Sequence, residues 1–359
     1  MSKPAAAGSM KLPQQYPAPD FFGKKLKDKW ATKLIAKLTG KNIPAWVDTA
    51  IHVLLGNIKH LQIIVGGWKI AIINQNHVYT FEILSPSKRL EKEQKLNILM
   101  GIGQRTKLQV KLPIDTYQVQ LDNDYDAYFS QTDYCNEVFT LLYNNQFPKP
   151  LLNHVFISLM ETYRTLCDYN VYLVDIKPEN MLLCSDGLYF IDIDDISIVR
   201  KEYIDISNTT TQYFNTADYK SFVKKHQAFM KEHQAFMKEH TDIVFSPDAA
   251  EQLEEIRERL EYEGWQALVK TYFYIEMNVD RRKQGVKLID WSYGQARNYA
   301  YDPKRKPDAI GKHIVGMMNP STHYDEQNSK IRAWLNNVLS TNGEAMDTSF
   351  LLAISRLRF

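Results

Sequence analysis

At 359 residues the chain is long enough for one large two-lobed domain or for two domains with sizeable cores. Hydrophobic residues at 44% and charged residues at 24% are ordinary for a soluble globular protein. A formal net charge of +2 excludes polyanion binding by global charge, so no nucleic-acid partner is expected and any anion site must be a local patch.

Cys135, Cys167 and Cys184 are odd in number and widely spaced, which is neither a disulfide framework nor a C-x-x-C metal site. The plain expectation is a reducing, cytosol-like compartment. Leu61 to Ile73 is interrupted by Gly66-Gly67 and Lys69 and is too short to span a bilayer. The first residues, MSKPAAAGSMKL, lack the apolar core of a secretory signal.

In chain order, residues 1–20 are rich in Pro and Ala and are expected to be disordered. From Lys24 to Asn42, Leu26, Trp30, Leu34, Ile35 and Leu38 recur at helical spacing, beside a basic stripe of Lys29, Lys33 and Lys37. LQIIV (61–65), WKIAII (68–73) and VYTFEIL (78–84) read as a meander with short hairpin loops. KRLEKEQKLNILM (88–100) reads as an amphipathic helix, and KLQVKL (107–112) and TYQVQL (116–121) as two further strands. After a polar segment, helices are expected at 133–144 and 151–168, a loop at 195–217, and mostly helix from about 218 to 279. A perfect tandem heptad, HQAFMKE at 226–232 and 233–239, reads as part of a long packed helix. Further helices are expected near 326–339 and 344–356.

The chemistry concentrates in Val174-Asp175-Ile176-Lys177-Pro178-Glu179-Asn180-Met181-Leu182-Leu183, followed by Ser185-Asp186-Gly187 and Phe190-Ile191-Asp192-Ile193-Asp194. Asp175 and Asn180 bracket a Pro-containing turn, so two polar side chains converge. Asp186-Gly187 is a hairpin signal, and the returning strand delivers Asp192 beside Asn180. An amide and a carboxylate brought together in this way form a hard-oxygen cation site suited to Mg²⁺. Asp175 is then left to accept a hydroxyl proton, and Lys177 to neutralise a transferring phosphoryl group.

These residues resemble the catalytic loop and metal-binding motif of protein kinases, D-x-K-P-x-N followed a hairpin later by D-F-G. The resemblance implies an α+β, two-lobed protein-kinase-like fold and an ATP- and Mg²⁺-dependent (or Mn²⁺-dependent) transfer of phosphoryl to a protein Ser/Thr hydroxyl. It makes Asp175 the base, Lys177 the γ-phosphate contact, and Asn180 and Asp192 the metal ligands. Leu173-Val174 stands in place of His-Arg, Asp-Ile-Asp in place of Asp-Phe-Gly, and only Gly66-Gly67 remains of a glycine-rich loop. The chain in this respect resembles atypical kinases such as those among secreted bacterial effectors, which sets delivery into a host-cell cytosol beside a cytoplasmic location.

The position expected for the ATP-phosphate lysine reads about Glu82, and Lys69 on the preceding strand is the substitute, as in with-no-lysine kinases. Lys88 and Lys92 are other candidates, and Glu93, or else Glu91, is the expected ion-pair partner. The implied layout is a basic helical extension at 21–54, a small β-rich lobe at 55–125, a helical lobe at 126–280 and an extension at 281–359. Lys29, Lys33, Lys37, Arg281, Arg282, Lys283, Lys287 and Lys304-Arg305-Lys306, if they converge, would take an inositol polyphosphate or phosphoinositide head group. Two rivals share the fold: a pseudokinase scaffold, and an enzyme that transfers AMP.

Overall fold

A computed structural model describes residues 24–55, 61–65, 69–200, 204–206, 221–222, 224–226, 229, 247–288, 298–305, 309–317 and 323–354. The chain is mixed α+β and divides into two compact units. Residues 1–91 and 113–134 form the first, and 92–112 and 135–359 the second.

The first unit begins with helices α1 (Lys24–Leu38) and α2 (Ala45–Leu54). An antiparallel sheet of five strands follows: β1 (Gln62–Val65), β2 (Lys69–Asn74), β3 (His77–Leu84), β4 (Asp115–Gln120) and β5 (Asp126–Asp133), in the order β1-β2-β3-β5-β4. Between β3 and β4 runs α3 (Pro86–Gly103), which begins in this unit and continues from Lys92 in the second. Period-2 alternation sends Ile70 and Ile72 of β2, and Tyr79 and Phe81 of β3, into one core. Trp30, Leu34 and Leu38, spaced at i, i+4 and i+8 on α1, join them with Val47 and Ile51 of α2. Of the basic stripe, Lys37 is exposed on the outer face of α1, and Lys33 pairs with Asp122.

In the second unit, α5 (Leu152–Asp168) packs against the long α6 (Pro247–Lys283) and α8 (Tyr324–Ile354), with α4 (Val138–Tyr143) and α7 (Ala309–Met317) also against α6. From Tyr262 to Val279 every residue of α6 is buried, the signature of a helix enclosed on all sides. Two small sheets lie with these helices. One orders β6 (Asn136–Glu137), β8 (Met181–Cys184) and β9 (Gly187–Phe190); the other orders β11 (Ile204–Asp205), β10 (Ile196–Val199) and β7 (Val171–Leu173).

Several expectations change. The strand expected at 107–112 is instead an extended segment bridged in parallel at Val110 to Phe190, with Lys111 N–H donating to the Phe190 carbonyl at 2.8 Å. The polar segment DAYFSQTD is strand β5, because Ala127 and Phe129 alternate into the core and Tyr128 is buried on the opposite face. Residues 196–199, expected in a loop, form the wholly buried β10. The two helices expected at the end are one, α8. The expected disorder of residues 1–20 and most of the heptad duplication lie outside the described residues.

The reading of the cysteines needs correction. Asn136 pairs with Leu183, so the next step of that antiparallel ladder sets Cys135 opposite Cys184, and the two are joined in a disulfide with Cα atoms 4.8 Å apart. Cys167 is a buried thiol whose ionisation burial pushes well up.

Gly264 of α6 sits where an added Cβ would come 1.9 Å from the Tyr163 hydroxyl, which donates to the Leu260 carbonyl at 3.0 Å. The contact fixes how closely α5 and α6 approach. Gly264→Ala is therefore expected to destabilise the chain by about 1–3 kcal/mol or more through overpacking, despite the better helix propensity of alanine. A lowered thermal midpoint checks this, and an unchanged or raised midpoint would refute the close packing.

Candidate functional site

The short β8–β9 hairpin carries the site. Met181 pairs with Phe190 and Cys184 with Gly187, leaving Ser185-Asp186 as the turn. Gly187 is required by a close approach: a Cβ there would meet the Gln109 amide nitrogen at 2.6 Å. One step beyond the ladder, the Ile191 N–H donates to the Asn180 carbonyl at 3.0 Å, so Asn180 and the residues leading to Asp192 are locked side by side.

On the other arm, buried β7 delivers Asp175, whose side chain is 7% exposed. Lys177 then leads into a single 3-10 turn, Pro178–Asn180, with Pro178 at its first position where no N–H is needed. The turn folds Asn180 back, and its Nδ2 donates to the Asp175 carbonyl at 2.9 Å and to Asp175 Oδ2 at 2.8 Å. Lys177 Nζ reaches the same Oδ2 at 2.6 Å. Two donors thus occupy one carboxylate oxygen and leave Oδ1 for other work. Both Asn180 side-chain bonds use Nδ2, so its Oδ1 is the atom left to accept.

Asp192 adopts a left-handed backbone, φ 65°, at the start of the 3-10 turn Ile193–Asp195. That conformation is uncommon outside glycine, although aspartate tolerates it better than most residues. Positions i and i+3 eclipse in a 3-10 turn, so Asp195 falls near Asp192. Asp175, Asp192 and Asp195 present ligand atoms all within 4.8 Å of one another. Three carboxylates and an amide oxygen are hard donors that fit Mg²⁺ or Mn²⁺.

Of the residues expected from sequence, Asp175, Lys177, Asn180 and Asp192 come together. Asp195 is an addition that sequence reasoning does not reach; its only signal is the i, i+3 spacing of acids after the hairpin. Lys69 lies in the first unit opposite Glu82 in the β2–β3 register, with Nζ 3.8 Å from the buried Glu82 carboxylate. Glu93 is half-buried on the part of α3 that belongs to the second unit, and Lys88 is exposed on the part that belongs to the first. Lys92 pairs with Asp194 at 3.1 Å. Gly66 and Gly67 lie outside the described residues.

The expected convergence of basic clusters needs correction at Arg305. Its guanidinium is buried, bonded to Glu276 at 2.6 and 2.9 Å and stacked over Phe273, so it closes a core contact instead of facing a polyphosphate. Arg281 donates to the Lys287 carbonyl at 3.1 Å, and Arg282 lies over the Tyr143 ring. Lys37 and Lys283 are exposed, and the Lys29 side chain lies outside the described residues. No described helix is long and apolar enough to cross a membrane.

Two acidic side chains, Glu179 in the turn Pro178–Asn180 and Glu137 on β6, lie together here. Burial pushes the Glu179 carboxyl above its ordinary value, with Lys177 opposing and Asp175 adding to the rise. Glu179 Oε2 is buried without a hydrogen-bond partner among the described residues. Glu137 is raised in the same way, mainly by burial, opposed by the Thr140 hydroxyl bond and reinforced by Glu179. No protein-family model and no curated protein matches this chain.

Because both folded values lie above the usual 4.5, the folded chain keeps protons that the unfolded chain releases as pH rises from there. Stability is lost through that window. Glu179→Gln removes one such group, so its melting midpoint relative to wild type should rise as pH is raised from about 4.5 in metal-free buffer. A difference independent of pH would contradict the burial cost assigned to Glu179.

Proposed function

We propose that the chain is an ATP- and divalent-cation-dependent phosphotransferase of protein-kinase-like type, with a protein hydroxyl as acceptor. The observation that carries this reading is the cluster of Asp175, Asp192 and Asp195, whose ligand atoms lie within 4.8 Å of one another, with Asn180 and Lys177 both bonded to Asp175. Three strands, a helix and two strands, the order the resemblance implies for a small lobe, support it further.

Asp192, Asp195 and the Asn180 Oδ1 would hold Mg²⁺, whose charge neutralises phosphate oxygens and aligns them. Asp175 Oδ1 accepts the proton of the acceptor hydroxyl as that oxygen bonds to the γ-phosphorus and the bond to the β,γ-bridging oxygen breaks, releasing ADP. The bonds from Lys177 and Asn180 to Oδ2 keep this carboxylate oriented, which suits a loose transition state where positioning and electrostatics dominate. Lys177, one-third exposed, can turn from Asp175 toward the transferring group.

A second reading, a scaffold that binds nucleotide without transfer, draws on Lys69. The expected phosphate lysine already faces a buried carboxylate across its own sheet. Intact-mass measurement after incubation with MgATP separates the readings. Steps of about 80 Da, one phosphoryl group, are expected, whereas steps of about 329 Da would mark AMP transfer instead. Asp175→Ala should slow transfer by ~10²-fold or more. Asp192→Ala should abolish it with little change in thermal midpoint, and undiminished transfer in either variant would refute the role assigned to that residue.

A further inference from the structure

Lys92 and Lys95 stand three residues apart on α3, and therefore on one face of it. The Lys95 side chain is only 3% exposed. Lysine is rarely buried so deeply unless its ammonium is fully engaged, because desolvating a charge is costly. Its Nζ donates to the Asp194 carbonyl at 2.9 Å and lies 2.7 Å from Asp205 Oδ2 on β11. Lys92 Nζ donates to Asp194 Oδ2 at 3.1 Å. Both cations therefore grip Asp194, one by its main chain and the other by its side chain. Asp194 is the middle residue of the turn Ile193–Asp195, and the clustered carboxylates Asp192 and Asp195 lie on either side of it.

That turn has reasons to open. Asp192, which leads into it, is held at a positive φ, and three carboxylates within 4.8 Å of one another repel. We infer that Lys95, assisted by Lys92, is a positioning residue that sets the divalent-cation affinity of the Asp175–Asp192–Asp195 cluster by fixing the turn; this rests on the cation reading proposed above. The buried ammonium supplies two things together. It ties the turn's backbone to α3, and it ties the same point to β11 through Asp205, so the ligands are held in place before a cation arrives. Groups behind metal ligands commonly act in this way on affinity.

The test uses the full chain and Mn²⁺ alone, titrated calorimetrically, with the spectrum of the bound ion recorded by electron paramagnetic resonance. Lys95→Met should weaken Mn²⁺ binding by about 10-fold or more and broaden that spectrum. Its unfolding in EDTA should stay cooperative, and Lys95→Arg should recover most of the affinity. If Lys95→Met does not fold, Lys92→Met decides, since its partner Asp194 is more exposed, and weaker binding is expected there as well. Wild-type affinity in Lys95→Met, or failing that in Lys92→Met, alongside lost binding in Asp192→Ala, would overturn the positioning role and leave the metal site standing. Unchanged binding in Asp192→Ala would instead remove the metal site, and the positioning role with it.

Discussion

Met181 lies opposite Phe190, and this one register decides which side chains can meet. A slip by a single residue would invert the face of one strand relative to the other, driving either Met181 and Leu183 or Leu188 and Phe190 out of the core. Those apolar residues therefore hold the polar ones in place. With the register set, the Asn180 carbonyl must face the Ile191 N–H, and Asp192 must emerge at the rim beside Asp175. The disulfide at the far end of β8 and the parallel bridge from Val110 to β9 brace the same hairpin from both flanks.

The site uses neighbouring donors sparingly. A carboxylate at the depth of Asp175 needs partners, and it takes them on one oxygen from Lys177 and Asn180. Asn180 is thereby oriented with its nitrogen inward and its oxygen available, so one hydrogen bond settles two questions. The helix α3 holds the Ile193–Asp195 turn through two lysines, Lys92 at the Asp194 carboxylate and Lys95 at its carbonyl.

The hairpin and the turn before it are legible in the sequence, because Pro178, the Asp186-Gly187 signal and the apolar runs on either side each restrict the backbone locally. The meander of the first unit and the face of α1 are legible for the same reason: their periods are local. What escapes depends on partners far along the chain. The segment 107–112 alternates like a strand, but its ladder partner is Phe190, some eighty residues on. DAYFSQTD looks polar because five of its eight residues are Asp, Ser, Gln or Thr, yet its first five positions are all buried. Cys135 and Cys184 are 49 residues apart and become neighbours only through the β6–β8 register. Asp195 is brought to the cluster by a single 3-10 turn, which leaves almost no pattern. Lys95 looks like an ordinary helix-surface lysine, and only the approach of Asp194 and Asp205 gives it a reason to be buried.

The central claim is that the β8–β9 hairpin and the two 3-10 turns at its ends assemble one divalent-cation site. Anomalous diffraction from crystals of the chain soaked in Mn²⁺ tests it most directly. The expected result is a peak coordinated by the side-chain oxygens of Asp192, Asp195 and Asn180, with Asp175 beside it. A bound Mn²⁺ held elsewhere, while those side chains point away from a common centre, would contradict it.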